Sequence, residues 1–191
     1  MRTLAASLCG LALLAAVASP GFAFQEYPSL EVAPYVGYLL YDSNLTHYSS
    51  NLDFGVRLDL RTMEMLGFQF NYAISGSTVG FPGIPFGKNS YVERIQFNLT
   101  RDLVLSRGIF FYGFAGLGTF VRHSTAVYTS DPSVQAGLGF RRNIVGPLYV
   151  RGDVGWTGAF LKDSDPADPY YDRTLTHHFD GALTLSVLFD N

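Results

Sequence analysis

One short pattern, the alternation of apolar and polar residues, restricts what this chain can fold into more than any other feature. In the segment NLDFGVRLDLR, residues 51–61, every second residue from Leu52 to Leu60 is apolar, and the residues between and after them include four charges. Successive side chains of a β-strand point to opposite faces, so such a strand has one oily and one charged face. Which of the two faces meets water decides between a soluble protein and a membrane protein.

The same alternation recurs along the chain. Each alternating segment is close to the length of about 9–11 residues that a tilted strand needs to cross a bilayer. The predicted strands lie at 30–41, 51–61, 66–75, 91–100, 109–121, 133–142, 148–160 and 177–189. Beyond the first residues, no segment shows a helical period over a useful length, so the sequence predicts an all-β fold.

The connections between these segments also alternate in length. Three are short, and four are long and turn-rich, at 42–50, 76–90, 122–132 and 162–176. Short turns at one end and long loops at the other are typical of outer-membrane barrels. The pattern therefore predicts an eight-stranded antiparallel up-and-down transmembrane β-barrel, with short periplasmic turns and long outer loops.

The size of the side chains and the scarcity of lysine indicate which face meets lipid. An eight-stranded barrel is only just wide enough inside for side chains, and apolar-face residues such as Phe68, Phe97 and Trp156 would overfill it. Lysine, common on water-facing strands, occurs only at Lys88 and Lys162, outside the alternating segments. The oily face is predicted to contact lipid, and the polar face to line the lumen.

Charged residues of the polar face form a predicted lumen network with a structural role. Acids and arginines occur there in equal numbers, and buried charges are tolerated when they are paired and hydrogen-bonded. The forked guanidinium of arginine suits carboxylates. The network comprises Glu31, Asp53, Arg57, Asp59, Arg61, Arg94, Arg141, Arg151, Asp153 and Asp180.

Two facing assignments stay open at this point. The fifth segment, IFFYGFAGLGTFV, carries apolar and small residues on both faces. Glu93 shares the parity of Ile95, Phe97 and Leu99, so either it faces outward near the long-loop end or a bulge redirects it.

The first residues have the features of a secretory signal. Arg2 precedes an apolar run from Leu4 to Val17, and Gly21-Phe22-Ala23 has the form of a signal peptidase site. Residues 1–23 are predicted to be a cleaved signal peptide, with a retained anchor as the alternative, and residues 24–191 to form one barrel domain. Cys9, the single cysteine, would leave with the signal.

Four stretches carry a resemblance to a known family: LEVAPYVGYLLYD, FFYGFAGLGTF, PLYVRGDVGW and FDGALTLSVLF. Together they resemble the OmpA-type family of small, eight-stranded outer-membrane β-barrels. The resemblance implies a location in the outer membrane of a Gram-negative bacterium, and contact with outer-membrane lipid and lipopolysaccharide. It also implies insertion by the barrel assembly machinery.

The predicted function is non-enzymatic. A plugged ionic lumen would leave the loops to serve envelope structure, adhesion or surface interaction, with a narrow porin-like channel as an alternative. The net charge of −3 and the lack of a basic cluster argue against a nucleic-acid partner. The chain is predicted to be a monomer that needs no cofactor.

Two loop features suggest chemistry without establishing it. The segment that holds His47 and Ser49 resembles the His-x-Ser-Asn motif of lipid A deacylases, and a lipid A-modifying enzyme is therefore a second alternative; serine and asparagine also serve plain turns. The histidines and a run of aspartates lack the spacing of a metal site, so none is predicted. These residues are His47, His123, His177, His178, Asp163, Asp165, Asp168 and Asp172.

Overall fold

The computed structural model describes residues 28–42, 50–62, 66–79, 87–105, 109–123, 128–160 and 175–190. The predicted signal peptide and its cleavage site lie outside these ranges, as do His47, Ser49 and the four aspartates between 163 and 172. Within the described ranges, no helix is long and apolar enough to cross a membrane.

The described chain forms a closed antiparallel barrel in which every strand pairs with its neighbours in sequence. Pairing of the first strand with the last closes the barrel, from Ser29 opposite Asp190 to Leu40 opposite Phe179. The strands are β1 (Ser29–Leu40), β2 (Asn51–Arg61), β3 (Leu66–Val79), β4 (Gly87–Leu105), β5 (Ile109–His123), β6 (Tyr128–Val145), β7 (Leu148–Ala159) and β8 (Thr176–Asp190). The predicted eight-stranded all-β architecture is confirmed.

Three strands are longer than the sequence predicts by four residues or more. β3 continues to Val79, and both β4 and β6 extend at each end, into segments that were expected to be turns or loops. These extensions contain the serine, glycine, proline and aspartate residues that usually mark turns. In a closed barrel the backbone of such a residue still pairs with the neighbouring strand, so turn composition does not end the strand.

The tight connection between β6 and β7 identifies the short-turn end. Gly146 has a φ of 54°, a left-handed backbone conformation that favours glycine. The Asn143 side chain donates a hydrogen bond to the Gly146 carbonyl at 2.7 Å, and Leu188 N donates to Pro147 O at 2.9 Å. The first residue of β1 and the last of β8 lie at this same end, as predicted for the periplasmic side.

The two faces of the barrel have inverted polarity relative to a soluble protein. Large apolar residues are exposed on the outside, with Leu117 67% and Phe97 65% exposed, while arginines are buried inside. The exposed set extends around the wall: Phe54, Leu58, Phe68, Phe97, Leu117, Leu138, Val154, Leu183 and Phe189. Soluble monomers rarely expose so continuous an apolar surface. The oily face therefore contacts lipid.

The facing of β5, which alternation leaves open, is decided by glycines on the next strand. Tyr112, Phe114 and Phe120 point into the lumen and are buried. A Cβ atom at Gly137 would overlap the Phe114 ring, and one at Gly139 would overlap the Tyr112 ring. Glycine on the inner face of β6 thus makes room for large aromatic side chains on β5.

Candidate functional site

All the charged residues predicted to line the lumen are placed there by the structure. None is more than 5% exposed, and each lies on the inward parity of its strand. Most of their ion pairs join strands that are not neighbours, so the contacts cross the lumen. Three groups can be distinguished along the barrel axis.

The group nearest the short turns, here called the turn-end cluster, contains three acids and three arginines. Arg141 on β6 binds Glu31 on β1 at 3.3 Å and Asp102 on β4 at 2.8 Å. Arg61 on β2 contacts the same two carboxylates, Asp102 closely and Glu31 at 3.5 Å. The full cluster is Glu31, Asp59, Arg61, Asp102, Arg141 and Arg151.

Arg151 links the turn-end cluster to a central group. It pairs with Asp59 and also lies 3.2 Å from Asp153. Asp153 in turn pairs with Arg57 and accepts a hydrogen bond from the Tyr112 hydroxyl. An aromatic ring lies beneath each of these two arginines. The guanidinium carbon of Arg151 is 4.6 Å from the centroid of the Tyr112 ring, and that of Arg57 is 4.2 Å from the centroid of the Tyr35 ring. Such stacking favours arginine over lysine.

The third group, here called the outer group, lies in the lumen toward the long loops and consists of Arg94 between Asp53 and Asp180. Arg94 on β4 donates from Nη1 to Asp180 on β8 at 3.0 Å, and from Nη2 to Asp53 on β2. β4 and β8 are diametrically opposite in an eight-stranded barrel, so Arg94 spans the lumen. The Tyr35 hydroxyl lies 3.4 Å from Asp53 and 3.2 Å from Asn71 Oδ1.

Amide side chains fill the wall between the charged groups. Asn71 donates to Gln96 at 2.8 Å, and Asn98 donates to Gln69 at 2.8 Å and to Gln135 at 3.1 Å. Gln69 continues this chain of bonds to Asp59 at 3.0 Å. Asn98 and Gln69 thus extend the turn-end cluster, whereas Asn71 and Gln96 extend the outer group through the Tyr35 hydroxyl.

Toward the long loops the lumen lining contains a buried apolar cluster and, at the same level, one further ion pair. Leu39, Tyr41, Val92, Phe120 and Ala159 form a buried cluster, here called the apolar layer. The His178 ring stacks on Phe120 with centroids 4.6 Å apart. Arg122 and Asp131 form a buried ion pair at 3.0 Å. The ionic groups below are thus covered by hydrocarbon and aromatic rings.

The sequence pattern misses several lumen residues because the strands it predicts are too short. It predicts a turn at Asp102 and a loop at Arg122 and Asp131, yet each continues the inward parity of its strand. Asp102 follows Arg94, Gln96, Asn98 and Thr100 at every second position. Extending the alternation past the polar residues would have found it.

The three histidines that the structure describes do not gather at the rim as a metal site would require. His178 is buried in the lumen, whereas His177 accepts a hydrogen bond from Trp156 on the outer wall at 3.2 Å. His123 lies beside Glu93 at 3.3 Å, stacked on Tyr91. Among the residues that the structure describes, no group of three or more His, Cys, Asp or Glu side chains could hold a metal ion.

Glu93 follows the first of its two predicted options. Its pairing with Ile74 and Val121 is continuous with the neighbouring pairs, so no bulge redirects it. It lies half-buried on the outer wall toward the long loops, where the Tyr72 hydroxyl donates to it at 3.4 Å. Charge on the lipid face is tolerated near the interface.

Several solved structures with the same architecture are outer-membrane proteins. OprG from Pseudomonas aeruginosa matches with a TM-score of 0.60 and 10% identity, over 87% of this chain and 98% of that chain. The chain has the fold of the small eight-stranded outer-membrane β-barrels. Neisserial surface protein A (NspA) matches with a TM-score of 0.53 and 12% identity, over 85% and 96% of the two chains.

A third similar barrel is Ail, the attachment invasion locus protein of Yersinia pestis. Its TM-score is 0.50 and its identity 13%, over 87% of this chain and all of that chain. Neither a family model nor a curated protein matches the sequence. The barrel fold and its exposed apolar belt place the chain in an outer membrane.

Proposed function

We propose that this outer-membrane barrel is non-enzymatic, that its lumen is plugged by paired charges, and that its long loops carry its function. The observation that supports the proposal is the set of ion pairs that cross the lumen. Arg57 on β2 reaches Asp153 on β7, and Arg94 on β4 reaches Asp180 on β8. Such contacts occupy the space through which ions would pass.

The energetics of buried charge favour a lumen that stays closed. Separating a buried ion pair leaves each charge without compensation, which costs several kcal/mol. The Arg151 side chain contacts three carboxylates, those of Glu31, Asp59 and Asp153, so moving it would disturb all three. Water-filled porins need about 16 strands, whereas eight enclose only enough room for side chains.

The role of the loops would be envelope structure, adhesion or another surface interaction. The strand ends that the long connections join all lie at the end opposite the Gly146 turn. Two barrels of the same fold, NspA and Ail, are named as a surface protein and an attachment protein. In this proposal the protein is a monomer, contacts outer-membrane lipid and lipopolysaccharide, and is inserted by the barrel assembly machinery of a Gram-negative bacterium.

Planar-bilayer recording tests the plugged lumen. The reconstituted wild type is expected to show no large, steady conductance. Arg151→Met should lower stability and open small, erratic currents, while Arg142→Met on the exposed outer wall should do neither. A stable ion-selective conductance in the wild type, abolished by changing Arg57 or Arg151, would establish a channel instead.

Cell assays test the loops and the lack of enzymatic activity. Replacing residues 162–174 with a short Gly-Ser turn should reduce adhesion or envelope integrity to the level of a gene deletion, with the barrel still folded. Unchanged phenotypes on deletion would overturn this role.

Lipid A from cells that express the wild type should have the same mass as lipid A from cells that express His47→Ala or Ser49→Ala. A wild-type-specific loss of an acyl chain would identify an enzyme.

A further inference from the structure

The charges of the lumen network do not balance. Adding Asp102 to the predicted residues gives six carboxylates against five guanidinium groups. The acids are Glu31, Asp53, Asp59, Asp102, Asp153 and Asp180, and the cations are Arg57, Arg61, Arg94, Arg141 and Arg151. The separate Arg122–Asp131 pair is neutral. With every carboxylate ionised, the network would therefore carry one negative charge in excess.

The excess is located in the outer group. The turn-end cluster has three acids and three arginines, and Arg57 matches Asp153 in the centre. In the outer group, Arg94 is shared by Asp53 and Asp180. Of the cations that the structure describes, only Arg94 lies within ion-pairing distance of these two acids.

Each of the two acids has an oxygen without a partner. Asp53 Oδ1 and Asp180 Oδ2 accept no hydrogen bond from any described group, although both side chains are only 1% exposed. Their other oxygens, Asp53 Oδ2 and Asp180 Oδ1, bind Arg94. Burying an ionised carboxylate oxygen without water or a donor is strongly unfavourable. A bound positive charge would remove this penalty.

The surroundings favour a proton over a metal or alkali cation. The apolar layer covers the site on the loop side, and cations such as Ca²⁺ take six or more oxygen ligands. A proton needs only one carboxylate oxygen. We propose that Asp53 and Asp180 bind one proton between them, with Arg94 compensating the remaining charge.

Other groups that face this pair set its electrostatic environment from the strands around it. β3 contributes Asn71, which does not titrate. The titratable or charged groups that act on the pair are Tyr35, Arg57 and Asp153, and the buried His178 lies on the same face of β8 as Asp180, two positions before it. Asp153 has more partners than either of these acids, because it contacts Arg57, Arg151 and the Tyr112 hydroxyl.

The proton should be visible directly by infrared spectroscopy of the barrel in lipid vesicles. At neutral pH the wild type should show the C=O band of a protonated carboxylic acid. Asp53→Asn and Asp180→Asn should each lose this band, because either change leaves one acid for Arg94. Asp59→Asn, in the balanced turn-end cluster, should retain it. A wild type without the band, or a band that persists in both outer variants, would overturn the proposal.

Stability measurements give an independent test. The folded barrel would hold one proton more than the unfolded chain, so its unfolding free energy should fall as the pH rises through the titration. Asp53→Asn should abolish that dependence. Replacing sodium with choline in the buffer should not change the unfolding free energy. A sodium-dependent increase in that free energy, removed by Asp53→Asn, would identify a bound cation instead of a proton. The site does not require a closed lumen, so the conductance result neither supports nor overturns it.

Discussion

Arg57 and Phe70 lie on adjacent strands and show how strictly side-chain parity separates two environments. Arg57 pairs across the sheet with Asn71 and Leu58 with Phe70, so one step in register exchanges lumen for lipid. Arg57 is buried and stacked over Tyr35, with its guanidinium carbon 4.2 Å from the ring centroid. A charged side chain is therefore accommodated at position 57 and unfavourable at position 70.

Substitutions at these two residues should both destabilise the barrel, for different reasons. Phe70→Arg should cost about 2–4 kcal/mol if the residue lies at the bilayer centre, because it puts a charge in hydrocarbon. Arg57→Met should cost about 3–5 kcal/mol because it leaves Asp153 without its main partner. Urea unfolding in lipid vesicles measures both changes.

A lipid-soluble quencher provides the matched accessibility test. With a probe attached at either position, quenching should be strong at position 70 and weak at position 57. The reverse order would mean that the faces have been assigned the wrong way round. Phe97, whose ring lies 5.2 Å from that of Phe70, offers a second outward position as a control.

At the scale of the element, β5 and β6 pack as a complementary pair. β5 carries large inward-facing aromatic side chains, and β6 carries inward-facing glycines that leave room for them. Gly137 and Phe114 face each other across the inner surface. Neither strand alone predicts this arrangement, because glycine alternation on β6 is equally compatible with a plain narrow lumen. The pairing register decides it.

Gly137→Ala should therefore destabilise the barrel by about 1–3 kcal/mol through overpacking, because the added methyl group overlaps both the Phe114 ring and the Val154 carbonyl oxygen. The double variant with Phe114→Leu should recover part of the loss. Gly181→Ala is the matched control: its nearest atom would lie 3.8 Å away, so stability should be nearly unchanged. Thermal unfolding of the three variants in detergent tests this, and equal losses at both glycines would refute the packing explanation.

At the scale of the whole molecule, closure through β1 and β8 leaves no free sheet edge. A closed barrel satisfies all its strand hydrogen bonds internally, which is why it can exist in lipid. The cross-lumen ion pairs add links between strands that do not touch in the sheet, such as β4 and β8.

The purified protein should accordingly resist mild detergent. Unboiled and boiled samples should migrate differently on a gel, and circular dichroism should show β-structure with little helix. Arg151→Met should lower the temperature at which the two forms interconvert, because three carboxylates lose a partner. A chain that stays soluble and monomeric without detergent would contradict the membrane assignment.

Much of the fold follows from the sequence because side-chain parity is a local property. Leu52 and Asp53 are neighbours, so their opposite faces are determined wherever the strand lies. The number of strands, their central residues, the lipid-facing wall and the burial of residues such as Arg57 and Arg151 all follow from that rule. Strand ends are less certain, as Asp102 shows, because they depend on how far the neighbouring strand extends.

The pairing of charges was decided only by the tertiary structure. Along the strand, Asp59 is the acid next to Arg57, yet the partner of Arg57 is Asp153, which lies 96 positions away in sequence. The contacts of Arg94 with Asp53 and Asp180, and the inward direction of Phe114, have the same origin. These contacts depend on which strands face each other across the closed barrel and at what stagger. That geometry arises only when β8 meets β1, and no local stretch of sequence encodes it.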